Sequence, residues 1–234
     1  MQTGLPVAVY VLATVVLWAL SGAIAVAGAL VLAAASLDTR FPVRLAGEGV
    51  ITLARGVPTS LVVVSAGIVS SRLPPVAWLP DVFPGTPAGL QTVAWAVTLA
   101  VAFGSAGYLA VVFRTAYRAL GRHRIDQAQV LGLSALRRVG LVCHEAALLA
   151  LPPTSARLVH HLHNTAFAAL FPVADLFGWV QERANTTFDV TTYALAGAAI
   201  YVALSGGIWL AGRSLELRLV VVPRLGRRSN RVAA

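Results

Sequence analysis

The chain has 234 residues, 58% of them apolar and 12% charged, with a mean hydropathy of +0.78 and a formal net charge of +9. A soluble domain carries about a quarter charged residues, whereas the apolar residues here cluster into runs long enough to cross a bilayer, about 20 residues each; the expected class is an all-α membrane protein. All 18 basic residues are arginine, which excludes a phosphate-binding G-x-x-x-x-G-K loop and a Schiff-base lysine from this chain.

Five apolar segments follow in chain order. The first runs from Leu5 to Ala35 and contains Gly22 and Gly28, which permit close helix approach in lipid. It is too long for a signal-peptide core, lacks a basic segment before it, and reads as a retained span. After a connection over 37–56, the second runs from Thr59 to Ser71. It opens after Pro58, where a missing N–H costs little, and is short for a span. A Pro- and Gly-rich connection (72–89) leads to the third, from Leu90 to Tyr117. The fourth, from Val139 to Leu170, is broken by Pro152-Pro153. A second loop-like connection (171–189) leads to the fifth, from Thr191 to Leu210. Trp78 and Trp179 lie in the two loop-rich connections, at positions that suit an interfacial depth. The expected organisation is a membrane domain over 1–220 and a basic, disordered tail over 221–234. Cys143 is the sole cysteine, so no internal disulfide forms.

The arginines give orientation. Fifteen of the 18 lie in 37–56, 114–138 and the C-terminal stretch. The positive-inside rule places these on the cytoplasmic side, with the N-terminus out, five spans and the C-terminus in. The same topological reading is more economical than nucleic-acid binding, which is not expected. The polar island "RIDQAQVLGLSALRR" (124–138) then faces the cytoplasm between spans three and four. Ile125, Ala128, Leu131, Ala135 and Leu136 fall near one helix face at steps of three and four. Asp126 and Arg137 suit the helix dipole at its two ends. Residues 125–136 are thus expected to form a rod of about 18 Å: an ordinary solvated helix, or a docking element for a cytoplasmic partner. Gly132 favours the second, since a glycine inside a helix costs about 1 kcal/mol and marks a bend or a close backbone contact.

Within the fourth segment, "TSARLVHHLHNT" (154–165) is the most polar part of any span. Arg157, His160 and Asn164 share a face, with His163 on an adjacent line and His161 pointing elsewhere. An intramembrane arginine is expensive, so it faces a partner helix or a wet cavity. The two readings are a path for solute, with Arg157 pairing with a carboxylate, and an arginine that satisfies carbonyls or reaches the outer interface. Metal binding at the histidines has no supporting carboxylate or thiol cluster. In Cys143-His144-Glu145 the consecutive side chains diverge on a helix. No catalytic residue is assigned. An intramembrane enzyme using Arg157, His160 and His163, or a non-transporting scaffold, are the alternatives to transport.

The polar island also resembles a known pattern. "DQAQVLGLSALRR" is similar to the E-A-A-x-x-x-G cytoplasmic loop of permease subunits in binding-protein-dependent ABC importers: Asp126 stands for the Glu, and Ala128 and Gly132 match. "GYLAVVFRTAYRAL" (107–120) resembles the segment before that loop in the polar amino-acid branch, with Tyr108, Ala110, Phe113 and Arg114 in register. "ARGVP" (54–58), "ALPP" (150–153) and "HNTAFAALFPVADL" (163–176) resemble further motifs of the family in the same order. Val111, Gln127 and His163-Asn164 depart from the pattern. The resemblance implies that 125–136 is a coupling helix in which Asp126, Gln127, Ala128 and Gly132 meet a separate ATPase; the polar residues of the fourth segment, Arg157, His160, His163 and Asn164, are the expected substrate path. It implies a multi-pass protein of the bacterial inner membrane that carries an amino acid or related solute and holds no cofactor of its own. ATP and Mg would sit on the partner ATPase. Further implied partners are an extracytoplasmic substrate-binding protein, a second permease copy as homo- or heterodimer, and lipid.

Overall fold

The structure is a computed structural model that describes residues 5–76, 78–132 and 134–219. The tail over 221–234 and the side chain of Ala128 lie outside the described residues. Among the described residues seven α-helices follow in order: α1 (Val7–Leu37), α2 (Phe41–Gly56), α3 (Thr59–Ser71), α4 (Gln91–Val130), α5 (Ala135–Thr165), α6 (Leu176–Thr187) and α7 (Val190–Leu219). Short 3-10 turns at Ala88–Leu90 and Ala166–Leu170 lead into α4 and out of α5. There is no strand among the described residues.

The axis of the fold is the α1–α4 pair. On α1, Ala13, Leu17, Ser21, Ala25, Ala29 and Ala33 recur every four residues, and all are buried. A stripe of small side chains lets backbones approach closely where no hydrophobic force separates helix from lipid. Opposite it, α4 buries Val97, Val101, Ala102, Ser105, Ala106 and Leu109. One core forms around Leu17, Val63, Phe83, Val97 and Val173 and another around Ala25, Ile51, Ala106 and Leu109. Helix α4 packs on α1, α2, α3 and α5, while α7 packs on α5 and α6.

Among the described residues, three helices are long and apolar enough to cross a membrane: α1, Ala88–Leu120 within the α4 unit, and α7. A fourth span is reached if α2 and α3 count as one, since they bend by 95° at Val57-Pro58. Thirteen residues of α3 reach only about 20 Å, less than the hydrocarbon core of about 30 Å, so α3 alone cannot complete the second span. Helix α5 has the length to cross, 31 residues, but carries Arg137, Arg138, Glu145, Arg157 and four histidines, which lower its hydropathy. The chain is a multi-pass membrane protein, helical throughout its regular elements among the described residues.

The 37–56 stretch, expected to be a connection, is mostly helix. Gly47, Ile51 and Ala54 form the buried edge of α2 at steps of four and three, and Glu48 pairs with Arg114 of α4. The contact is close: a methyl added at Gly107 of α4 would lie 2.7 Å from Ala54 Cβ and 3.3 Å from Ile51 O. Neither atom can withdraw unless α2 moves. Gly107→Ala is therefore expected to cost about 1–2 kcal/mol, measured as a lower thermal midpoint in detergent; an unchanged midpoint would show the α2–α4 contact to be loose.

Two further expectations are corrected. The separate rod over 125–136 does not form. Helix α4 continues from the third apolar run to Val130, because residues 117–130 are mostly good helix formers without proline. The chain then turns, and α5 starts at Ala135. Gly132 sits at φ +71°, a left-handed conformation that glycine adopts without the cost of a Cβ, so it marks a bend. Nor is the fourth segment broken at Pro152-Pro153, as α5 runs through both. Their missing N–H groups leave the carbonyls of Leu148 and Leu149 without helical donors, on a side of the helix where both prolines are exposed.

Candidate functional site

Helix α5 has two polar edges. The first faces inward and is centred on His161, fully buried between α1 and α4. Its Nε2 lies 2.7 Å from Ser21 Oγ on α1 and its Nδ1 lies 2.7 Å from Ser105 Oγ on α4. The Ser21 hydroxyl donates to Leu17 O at 2.6 Å. That leaves Ser21 Oγ to accept from His161 Nε2–H, and the Ser105 hydroxyl to donate to Nδ1. Trp18 Nε1 donates to Leu158 O nearby, at 3.0 Å. One neutral imidazole thus ties three helices together. The sequence placed His161 away from the Arg157 face, as found, but did not reveal its partners. Ser21 and Ser105 were the available signal: polar residues inside otherwise apolar buried stripes.

The second edge carries Arg157 and His160. With Arg55, Tyr108, Val112 and Pro153 they bound a cavity of about 410 Å³ between α2, α4 and α5. The Arg157 guanidinium carbon sits 4.1 Å from the Tyr108 ring centroid and that of Arg55 sits 5.4 Å from the same centroid. Both are within the range of a cation–π contact. Arg157 Nε is buried and has no acceptor. Arg55 enters the sequence reading as one of the cytoplasmic-side arginines and within the ARGVP motif; its placement over Tyr108 depends on the α2–α3 bend, which the sequence did not reveal.

The other two residues expected on the path are placed differently. His163 lies toward α7, with Nε2 3.2 Å from Ser205 Oγ and its ring 6.4 Å from that of Tyr201. Asn164 is buried, its Nδ2 without an acceptor, and it does not border the Arg157 cavity. Cys143, His144 and Glu145 diverge as expected: Glu145 pairs with Arg124 at 3.1 Å, while Cys143 borders a separate apolar cavity of about 620 Å³ with Leu30, Phe113, Tyr117 and Ala150.

The corner between α4 and α5 is the other candidate surface. Asp126, Gln127 and Gly132 are exposed there. Leu131 N and Gly132 N donate to Gln127 O and Gln129 O at 3.1 and 2.9 Å, closing the last turn of α4. Val130 and Leu131 project at the tip with 87% and 77% of their surface exposed, although each is a large apolar side chain. The Arg124–Glu145 ion pair ties the end of α4 to α5 behind it.

This arrangement of helices recurs among solved structures. The chain aligns with one from the crystal structure of an amino acid ABC transporter with histidines, at a TM-score of 0.73 over 89% of this chain and 92% of that one, with 20% identity. It also aligns with a chain of the MetNI methionine ABC transporter in its inward-facing conformations, at a TM-score of 0.68 over 89% and 93%, with 13% identity. In sequence it is 29% identical over 133 residues to the arginine ABC transporter permease protein ArtM of Haemophilus influenzae. In sequence and fold, the chain resembles an amino-acid ABC transporter permease. The match to ArtM spans 56% of this chain and 58% of ArtM. No family model matches the chain.

Proposed function

We propose that the chain is the transmembrane subunit of an ATP-driven importer that moves a small polar solute, an amino acid or related compound, across a bacterial inner membrane by alternating access. It crosses the membrane five times, N-terminus out and C-terminus in, with the broken α2–α3 pair as the second span and α5 as the fourth. It holds no nucleotide itself. ATP and Mg act on separate ATPase subunits, an extracytoplasmic binding protein delivers the solute, and a second permease copy completes the path. The relatives carry amino acids by name, arginine and methionine among them, which supports that solute class.

The observation that carries this reading is the α4–α5 corner. Two long helices end in one exposed tip that presents Val130 and Leu131 beside Asp126, Gln127 and Gly132, and large exposed apolar side chains on a polar loop mark a surface that a protein partner covers. Because the tip joins the two helices flanking Tyr108 and Arg157, a push on it reaches the cavity through two rigid rods. Arg157 and His160 on the cavity wall are the part of α5 that meets the solute; an arginine inside a span requires water or a partner helix.

The test is co-purification with the cognate ATPase. Leu131→Glu combined with Gly132→Val is expected to abolish ATPase retention and ATP-driven uptake, while the chain still inserts in the membrane. Retention and uptake at wild-type levels in that variant would overturn the docking surface, and a wild-type chain that retains no ATPase and drives no uptake would overturn the importer reading.

A further inference from the structure

The Arg157 cavity holds two guanidinium groups and no acid. Arg55 and Arg157 converge on the single Tyr108 ring, and among the described residues neither forms an ion pair. The arginines that do pair are elsewhere: Arg114 with Glu48, Arg124 with Glu145 and Arg213 with Glu216. Asp175 is committed to backbone N–H groups at the start of α6. Two like charges near one ring repel. The aromatic face offsets this in part, but it leaves the in-plane N–H donors free, and Arg157 Nε is buried without an acceptor. A carboxylate satisfies such a fork with two parallel hydrogen bonds, and two forks match two carboxylates.

We infer that the Arg55–Tyr108–Arg157 cavity selects a solute with a net negative charge, an acidic amino acid or small dicarboxylate, and rejects cationic amino acids. The assignment rests on the importer reading above and specifies its solute. Its volume, about 410 Å³, lies in the range of small-molecule sites. Tyr108 holds the two guanidiniums while the site is empty; the solute's carboxylates then take their donors, and His160 closes the side facing α5. A cationic solute meets two positive charges with no carboxylate to receive its own.

The experiment is equilibrium binding of radiolabelled L-glutamate, L-glutamine and L-arginine to the chain purified with its second permease copy and ATPase subunits in lipid nanodiscs. Glutamate and glutamine differ only by a carboxylate against an amide, so glutamate is expected to bind about tenfold tighter or more, with arginine the weakest. Arg157→Gln and Arg55→Gln should each bring the glutamate-to-glutamine ratio within about threefold of unity, while Arg213→Gln, already paired with Glu216 outside the cavity, leaves it unchanged. Arg55 is exposed, so its variant reports on selectivity even if Arg157→Gln does not fold. Arginine binding as tightly as glutamate, no binding of any of the three, or a ratio unmoved in both cavity variants would overturn the assignment. ATPase retention in the same preparations separates the two claims. Lost selectivity with docking intact sinks the anionic-solute assignment alone, and lost docking with selectivity intact sinks the importer reading alone.

Discussion

Truncation of His161 to alanine is expected to lower stability by about 3–5 kcal/mol, the range for removing a large ring from a closed core. The side chain is fully buried, so its removal opens a cavity where α1, α4 and α5 meet. It also removes both cross-helix hydrogen bonds, to Ser21 and Ser105. Ser21 keeps its bond to Leu17 O, so the larger polar loss falls on Ser105, whose hydroxyl then has to turn to its own helix. Thermal unfolding in detergent measures the total, and double-mutant cycles of His161→Ala with Ser21→Ala and with Ser105→Ala divide it. A coupling of about 1 kcal/mol in each cycle is the expected result for two genuine hydrogen bonds. Val202→Ala, at an exposed position of α7, serves as the reference and should change stability little. A His161→Ala loss no larger than that reference, or coupling absent from both cycles, would show that packing alone holds the three helices.

His161 also illustrates what was legible before the structure. Apolar run length placed the chain in the membrane, and the Arg157–His160 edge followed from steps of three along one helix, because both depend only on local periodicity. The partners of His161 depend on which buried stripe meets which, and residues 21, 105 and 161 are joined only by the tertiary arrangement. Helix α2 was missed for a related reason. Its arginines and glycines resemble a connection, and the helical spacing of Gly47, Ile51 and Ala54 is carried by small residues that give a weak hydrophobic signal. The corner at Gly132 was half legible. The glycine announced a bend, but residues 125–130 have the propensity to extend α4, and nothing local separates an extended helix from a new one. The shared edge of Arg157 and His160 was legible and the approach of Arg55 to their cavity was not, because the 95° bend between α2 and α3 sets where Arg55 lies.

Stability is expected to fall as pH rises through neutrality, with Asp175 the cause. Asp175 lies in the connection between α5 and α7, where it caps α6 by accepting from Phe177 N at 2.9 Å and Gly178 N at 3.1 Å. Its carboxyl is fully buried, and burial raises its pKa to about 7, although the two backbone donors pull the other way. A carboxyl whose folded pKa is raised above its unfolded value, ordinarily near 3.9, contributes stability that is fully present below the unfolded value and is lost as pH rises through the folded one. Between pH 5 and pH 8 the loss is about 2–3 kcal/mol by linkage. Asp175→Asn keeps a side-chain oxygen for the cap and cannot ionise. The wild type should therefore lose thermal midpoint relative to Asp175→Asn between pH 5 and pH 8, and because both proteins carry the same histidines, the difference between them isolates Asp175. Parallel midpoints over that interval would mean that the carboxylate is already charged at pH 5 and that the two N–H groups, not burial, govern it. In that case Asp175→Asn should be the less stable protein at every pH, having exchanged a charge-assisted cap for a neutral one.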